Sequence, residues 1–112
     1  MTTGLLNKHC KVCEGGTQPL SAAQARDLLN QISGWELNET ATEISRTFQF
    51  KNHYQTMAFV NALAWIAHQE DHHPDLEVSY NKCRVRFTTH AIKGLSENDF
   101  ICAAKIEALL RA

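Results

Sequence analysis

The stretch "HHPDLEVSYNKCRVRFTTH", His72 to His90, decides the fold. It alternates Leu76, Val78 and Tyr80 with Glu77 and Ser79, then Cys83, Val85 and Phe87 with Arg84 and Arg86. Period-two alternation marks a strand with one covered face, and an asparagine tolerates the positive φ that a two-residue hairpin turn demands. A turn at Asn81-Lys82 sets Tyr80 against Cys83, Val78 against Val85 and Leu76 against Phe87. On the other face it sets Glu77 against Arg86 and Ser79 against Arg84, so apolar meets apolar and acid meets base. The same register carried outward places Asp75 opposite Thr88 and His73 opposite His90. Directly opposed Cβ atoms lie roughly 4.5–5.5 Å apart, which brings two imidazoles together at the open end of the hairpin, with His72 beside them.

Before the hairpin, Pro74 disfavours helical geometry at His73 and holds it extended. The preceding segment "NHYQTMAFVNALAWIAHQE", Asn52 to Glu70, has helix length, no glycine or proline, and apolar residues all round its axis. Met57, Val60 and Ala64 fall on one side, Phe59, Leu63 and Ile66 on another. Such a helix must be covered on more than one face, so one side is expected to pack on the sheet and another on a second subunit. A charge at Phe59 or Leu63 is expected to disturb that association. His68 stands one turn before His72, near the helix C-terminus, where the helix dipole favours an imidazolium.

Further out, Ser21 and Gln24 match a capping box ahead of Ala22, Ala25, Leu28, Leu29 and Ile32, which repeat at helical spacing as far as Gly34. Trp35 to Asn38 and Glu43 to Phe50 alternate like two strands of a hairpin. Near the C-terminus Ser96 and Asp99 again match a capping box, ahead of Cys102, Ala103, Ile106, Leu109 and Leu110.

The chain has 112 residues, 44% hydrophobic and 21% charged, which fits one domain with a modest core and leaves too little for two. A formal net charge of −1 provides no cationic stripe for phosphates or anionic lipid, so neither nucleic acid nor membrane is an expected partner. No apolar run reaches the roughly 20 residues of a membrane span, and "MTTGLLNKHC" lacks the apolar core of a signal peptide. The expected compartment is the cytoplasm, where Cys10, Cys13, Cys83 and Cys102 would be reduced thiols. In "HCKVC", His9, Cys10 and Cys13 offer metal-ligand atoms, but no second pair of ligands closes a structural zinc site and no strand–helix junction flanks a redox motif. An adventitious cluster is the expectation, in a flexible lead-in over 1–19 that includes "EGGTQP"; the domain occupies 20–112.

Convergent histidines allow a metal site, an acid–base site or a solvated rim. Neighbouring residues in extended backbone point to opposite sides, which makes His72 and His73 awkward ligands for one ion but suits an acid and a base acting on different faces of a substrate. Imidazole titrates near neutral pH and serves in either role.

"HQEDHHP", "YNKCRVRFTTH" and "GLSENDF" together resemble the pterin-4a-carbinolamine dehydratase family. The features that carry the resemblance are His68, the run His72-His73-Pro74, Tyr80, His90 and Asp99, and it covers the chain from about Leu20 onward. His68 stands where many members carry glutamate, and Ala91 where some place glutamate after the later histidine.

The resemblance implies an α/β (α+β) two-layer sandwich: a four-stranded antiparallel sheet with three helices on one face, in the order α-β-β-α-β-β-α, forming a homodimer or homotetramer. It implies a hydro-lyase that removes water from 4a-hydroxytetrahydropterin after aromatic amino-acid hydroxylation, in functional company with phenylalanine hydroxylase, using no metal and no organic cofactor. His73 would act as acid at the 4a-hydroxyl, His90 as base or orienting partner and His72 as a second proton donor. Asp71, Thr88, Thr89 and Ala91 would complete the substrate wall, with His68, Pro74 and Asp99 supporting it. In vertebrate relatives the fold also serves as a dimerisation cofactor of a transcription regulator, which makes a protein-interaction module the alternative.

Overall fold

The computed structural model describes residues 3–11 and 17–110. Its elements are α1 (Thr3–Leu6), α2 (Ala22–Leu29), β1 (Glu36–Leu37), β2 (Ile44–Gln49), α3 (His53–Glu70), β3 (Asp75–Val78), β4 (Lys82–Phe87), a 3₁₀ turn at His90–Ile92, and α4 (Glu97–Ala108). The four strands form one antiparallel sheet in the order β1-β2-β4-β3. This is the expected α+β architecture, with α1 added ahead of it. Cys13 and part of "EGGTQP" fall in 12–16, outside the described residues, whereas Leu5 of α1 is buried in the core.

The sheet has one covered face because β4 reads in two registers at once. Cys83, Val85 and Phe87 are fully buried toward the helices, while Arg84 and Arg86 point away and both reach Glu77 of β3, at 3.5 and 3.6 Å. In β2, Ile44 and Phe48 share the inner face with Arg46. That guanidinium is accommodated over the Phe48 ring at 4.5 Å, donates to the Ser33 carbonyl at 2.9 Å and meets Glu107 of α4 at 3.4 Å.

The β3–β4 register differs from the sequence expectation by two residues. Leu76 pairs with Val85, Val78 with Cys83 and Glu77 with Arg84, so the turn is centred on Tyr80-Asn81 and not on Asn81-Lys82. An even shift keeps every side chain on its expected face. Its cause lies outside the hairpin: the Asn81 carbonyl accepts from the Phe50 N–H at 2.8 Å and the Tyr80 carbonyl from Thr56 Oγ1 at 3.0 Å, tying the turn to the β2–α3 junction. Asn81 has no positive φ, so the reason for placing it in a primed turn does not apply. Extended outward, the observed register sets His73 opposite Thr88, and the expected direct pairing with His90 is replaced by a shared cavity, described below.

Helix α2 begins with the expected capping box, Gln24 N–H to Ser21 Oγ at 3.2 Å and Ser21 N–H to Gln24 Oε1 at 2.8 Å. It ends at Leu29, short of Gly34, as Gln31 and Ile32 close tighter i→i+3 turns and Gly34 takes φ 82°. Helix α3 is capped by Asn52, and its buried line is Thr56, Phe59, Leu63 and Ala67. Phe59 packs on Phe48 and Phe50 at centroid distances of 4.7 and 5.0 Å. Phe59 and Leu63 therefore belong to the chain's own core and are not the association surface. The side left open carries Tyr54, 82% exposed, Met57 and Trp65, 60% exposed.

Candidate active site

The sequence creates the site at the end of α3. The helix closes with Asp71 in the left-handed region (φ 51°), where aspartate is one of the few residues besides glycine that settles. Its N–H returns to the His68 carbonyl and the His72 N–H to the Ala67 carbonyl, at 3.3 and 3.2 Å, a Schellman-type ending that releases the chain into His72-His73-Pro74 and β3. Alternation then turns His72 inward and leaves His73 exposed.

His90 is held by a different device. After β4, Thr89 bridges to Gly94 in both directions, at 2.8 and 3.4 Å, and the 3₁₀ turn between them displays His90 and Ala91 at the surface. Thr88 Oγ1 donates to the Thr42 carbonyl at 2.6 Å and locks the strand end.

Behind these segments lies a buried carboxylate. Asp99 has no exposed side-chain surface, and its Oδ1 is 2.6 Å from His72 Nε2. Its Oδ2 accepts from Thr89 Oγ1 at 2.8 Å and from the Ser96 N–H at 3.0 Å. Asp99 thus performs the capping role read from the sequence with one oxygen and holds an imidazole with the other. A carboxylate on Nε2 draws the ring proton to that nitrogen and presents Nδ1 as the one left for a ligand. The His72 ring, with a side chain 13% exposed, also stacks on Phe87 at 5.8 Å and 8°.

His72, His73 and His90 all line one cavity of about 560 Å³, with Asp71, Thr88, Thr89 and Ala91. That size accommodates a small heterocycle. The supporting residues are dispersed: Asp99 lies behind the wall, Pro74 sets the chain direction, and His68 stands outside this cavity, 5.7 Å from the Trp65 ring over a separate depression. Among the described residues no three His, Cys, Asp or Glu side chains converge as metal ligands.

Sequence reasoning missed Cys10, Lys11, Gln69, Glu70 and Asn98, which line the same cavity. Glu70 is the best defined of them. Burial alone would raise its carboxyl, but the Cys10 N–H at 2.8 Å, His9 Nδ1 at 3.0 Å and Lys105 Nζ at 3.2 Å outweigh it and hold its pKa down to about 2. Local spacing carries no signal for contacts across so much chain.

The family described as Pterin 4 alpha carbinolamine dehydratase matches residues 18–109. A protein of Nitrosomonas eutropha named "Putative pterin-4-alpha-carbinolamine dehydratase" is 64% identical over 107 residues, covering 95% of this chain and 93% of its own. One of the same name from Legionella pneumophila (strain Corby) is 59% identical over 111 residues, 98% of each chain. Among solved structures, a transcriptional coactivator/pterin dehydratase from Brucella Melitensis superposes with a TM-score of 0.79 at 29% identity, over 84% of this chain and all of its own. A pterin dehydratase-like protein identified as a RuBisCO assembly factor shares the fold, with a TM-score of 0.60 at 23% identity over 68% of this chain and 88% of its own. With a match that spans most of the domain and relatives aligned nearly end to end, the chain belongs to the pterin-4a-carbinolamine dehydratase family.

Proposed function

We propose that the cavity binds a 4a-hydroxytetrahydropterin and removes water from it, giving the quinonoid dihydropterin by histidine acid–base catalysis. The observation that carries this reading is the set of three imidazoles on one cavity wall, one of them fixed by a buried carboxylate. In the reaction the C4a–O bond breaks and the hydroxyl leaves with an added proton as water. The N5–H proton is removed, and the nitrogen electron pair closes the C4a=N5 bond. One group must deliver a proton and another must take one, and imidazoles do both near neutral pH. His73 is the acid at the hydroxyl, His90 the base or orienting partner, and His72, when its ring carries both protons, a second proton donor. Asp99 is a positioning residue that fixes the His72 ring. Asp71, Thr88, Thr89 and Ala91 meet the pterin edge, whose amide and amino groups need partners once they leave water. Between protein and substrate the route passes only protons, and it requires no metal or organic cofactor.

The chain would serve in the cytoplasm, recycling the pterin released by an aromatic amino-acid hydroxylase such as phenylalanine hydroxylase, and would do so as a homodimer or homotetramer. The open side of α3, with Tyr54, Met57 and Trp65, is the surface for a second copy. The same surface supports the second reading, an interaction module, which the Brucella protein, named a transcriptional coactivator/pterin dehydratase, also suggests. Among the described residues no helix is long and apolar enough to cross a membrane.

The test is dehydration of synthetic carbinolamine with a chelator present. Acceleration above the buffer rate is expected, and it should persist through exhaustive chelation. A folded protein with no acceleration defeats the enzyme reading and favours the module; loss on chelation with recovery on adding zinc reverses the choice of acid–base over metal chemistry.

A further inference from the structure

Part of the cavity wall comes from a segment ahead of residue 18, where the family match begins. Residues 3–11 are fastened to the domain at successive points. Leu5 is in the core, Lys8 Nζ pairs with Glu97 at 2.7 Å, and His9 and the Cys10 N–H take the two oxygens of Glu70. Lys11 is held by a two-way amide pairing: its N–H donates to Asn98 Oδ1 at 3.0 Å and its carbonyl accepts from Asn98 Nδ2 at 2.6 Å. Cys10 Sγ rests 3.5 Å from Cys102 Sγ and 3.6 Å from the Asn98 carbonyl.

Asn98 is a residue only 6% exposed, and a carboxamide that engages both the N–H and the carbonyl of one residue fixes backbone as a neighbouring strand would. The same segment shares Glu70 with the turn that carries Asp71, His72 and His73, so the arm and the histidine turn have a common anchor. Relatives aligned over 98% of the chain extend across the arm as well.

We infer that this N-terminal arm is a substrate-binding wall, with Cys10 and Lys11 contacting the bound pterin and Asn98 the positioning residue that holds them there. The inference rests on the reading of the cavity as a pterin site. A wall that contacts ground and transition states alike changes affinity and leaves the chemical step alone, so its loss raises KM with kcat unchanged.

The experiment uses the full chain and two variants, Lys11→Ala, which keeps the backbone pairing, and Asn98→Ala, which removes it. Turnover of carbinolamine and equilibrium binding of 7,8-dihydrobiopterin, a stable pterin, are measured on each. Both variants should weaken pterin binding and raise KM by about tenfold with kcat within about twofold. Unchanged KM and Kd in Lys11→Ala and in a folded Asn98→Ala overturn the inference, as does a fall in kcat at constant KM. If Asn98→Ala does not fold, Lys11→Ala decides alone. A parent that binds dihydrobiopterin without turnover defeats the proposed reaction while the Kd comparison still decides the arm; a parent that binds no pterin overturns both.

Discussion

Two histidines in this molecule stack on aromatic rings at opposite ends of the β3–β4 hairpin. At the turn, His53 lies over Tyr80 at 5.9 Å and 15°; at the open end, His72 lies over Phe87 at 5.8 Å and 8°. The ring contacts are nearly the same and the surroundings are not. His53 and Tyr80 are both in solvent, and the imidazole's other contact is the Tyr80 carbonyl at 3.3 Å. His72 is mostly buried against a fully buried phenylalanine and bonded to a carboxylate whose second oxygen is already engaged. Stacking alone marks no site; burial with a fixed charged partner does.

The strongest way to break the contrast is to remove the carboxylate. Asp99→Ala leaves the Thr89 hydroxyl, the Ser96 N–H and the His72 ring without their shared acceptor, and should cost about 3–5 kcal/mol in a denaturant titration. Asp99→Asn should keep more of the fold and still lose turnover, which separates the charge from the shape. Acid exploits the same end of the chain. Glu70 titrates at about 2 in the folded protein against an ordinary 4.5, so its contribution is complete above pH 4.5 and is lost as pH falls from 4.5 toward 2. The linked loss is about 3 kcal/mol at most, and amide exchange should show the arm and the α3 terminus opening in that window while the His53 end stays closed. Opening at the His53 end first would refute it.

A third comparison is enzymatic. His72→Ala, His73→Ala or His90→Ala should each lower turnover by roughly 10²-fold or more, whereas His53→Ala should be silent. Removing His73 and His90 together should cost less than the product of the single losses. Equal impairment by His53→Ala at unchanged folded content would place the chemistry at the turn. The smallest effect concerns the stacking partners: Phe87→Leu should destabilise by about 1–2 kcal/mol, and Tyr80→Leu by no more than about 0.5 kcal/mol. On the association surface, Trp65→Glu should shift sedimentation toward smaller species with the fold intact, while Leu63→Asp should unfold the chain.

Side-chain periodicity carried the fold a long way. Cys83, Val85 and Phe87 announce the covered face of β4, and both capping-box patterns mark real helix starts. Face parity survived because a strand alternates every residue; register did not, because the turn is held by Phe50 and Thr56, far away in sequence. At the site, His72, His73 and His90 were brought together by a hairpin register that the structure shifts by two residues; they line one cavity all the same, because all three lie at the open end of the hairpin. Its own pattern marked Asp99 as a cap, and the resemblance as a support of the site, but nothing local indicates that its second oxygen reaches a histidine 27 positions earlier. For α3, the composition showed two apolar sides but not which one faced inward.

Helix α4 also sets an order of assembly. Asn98, Asp99 and Cys102 lie near its start and bind partners 87, 27 and 92 positions away: Lys11, His72 and Cys10. Contacts closing such long loops form late, because chain entropy is lost before the contact repays it. A nascent chain that ends before residue 97 can hold the hairpin but has no counter-surface for the arm or the inner imidazole. The pocket is therefore expected to be the last part of the fold to mature, and pulse-labelled exchange during refolding should show the Cys10 and Lys11 amides gaining protection after those of β2 and β4.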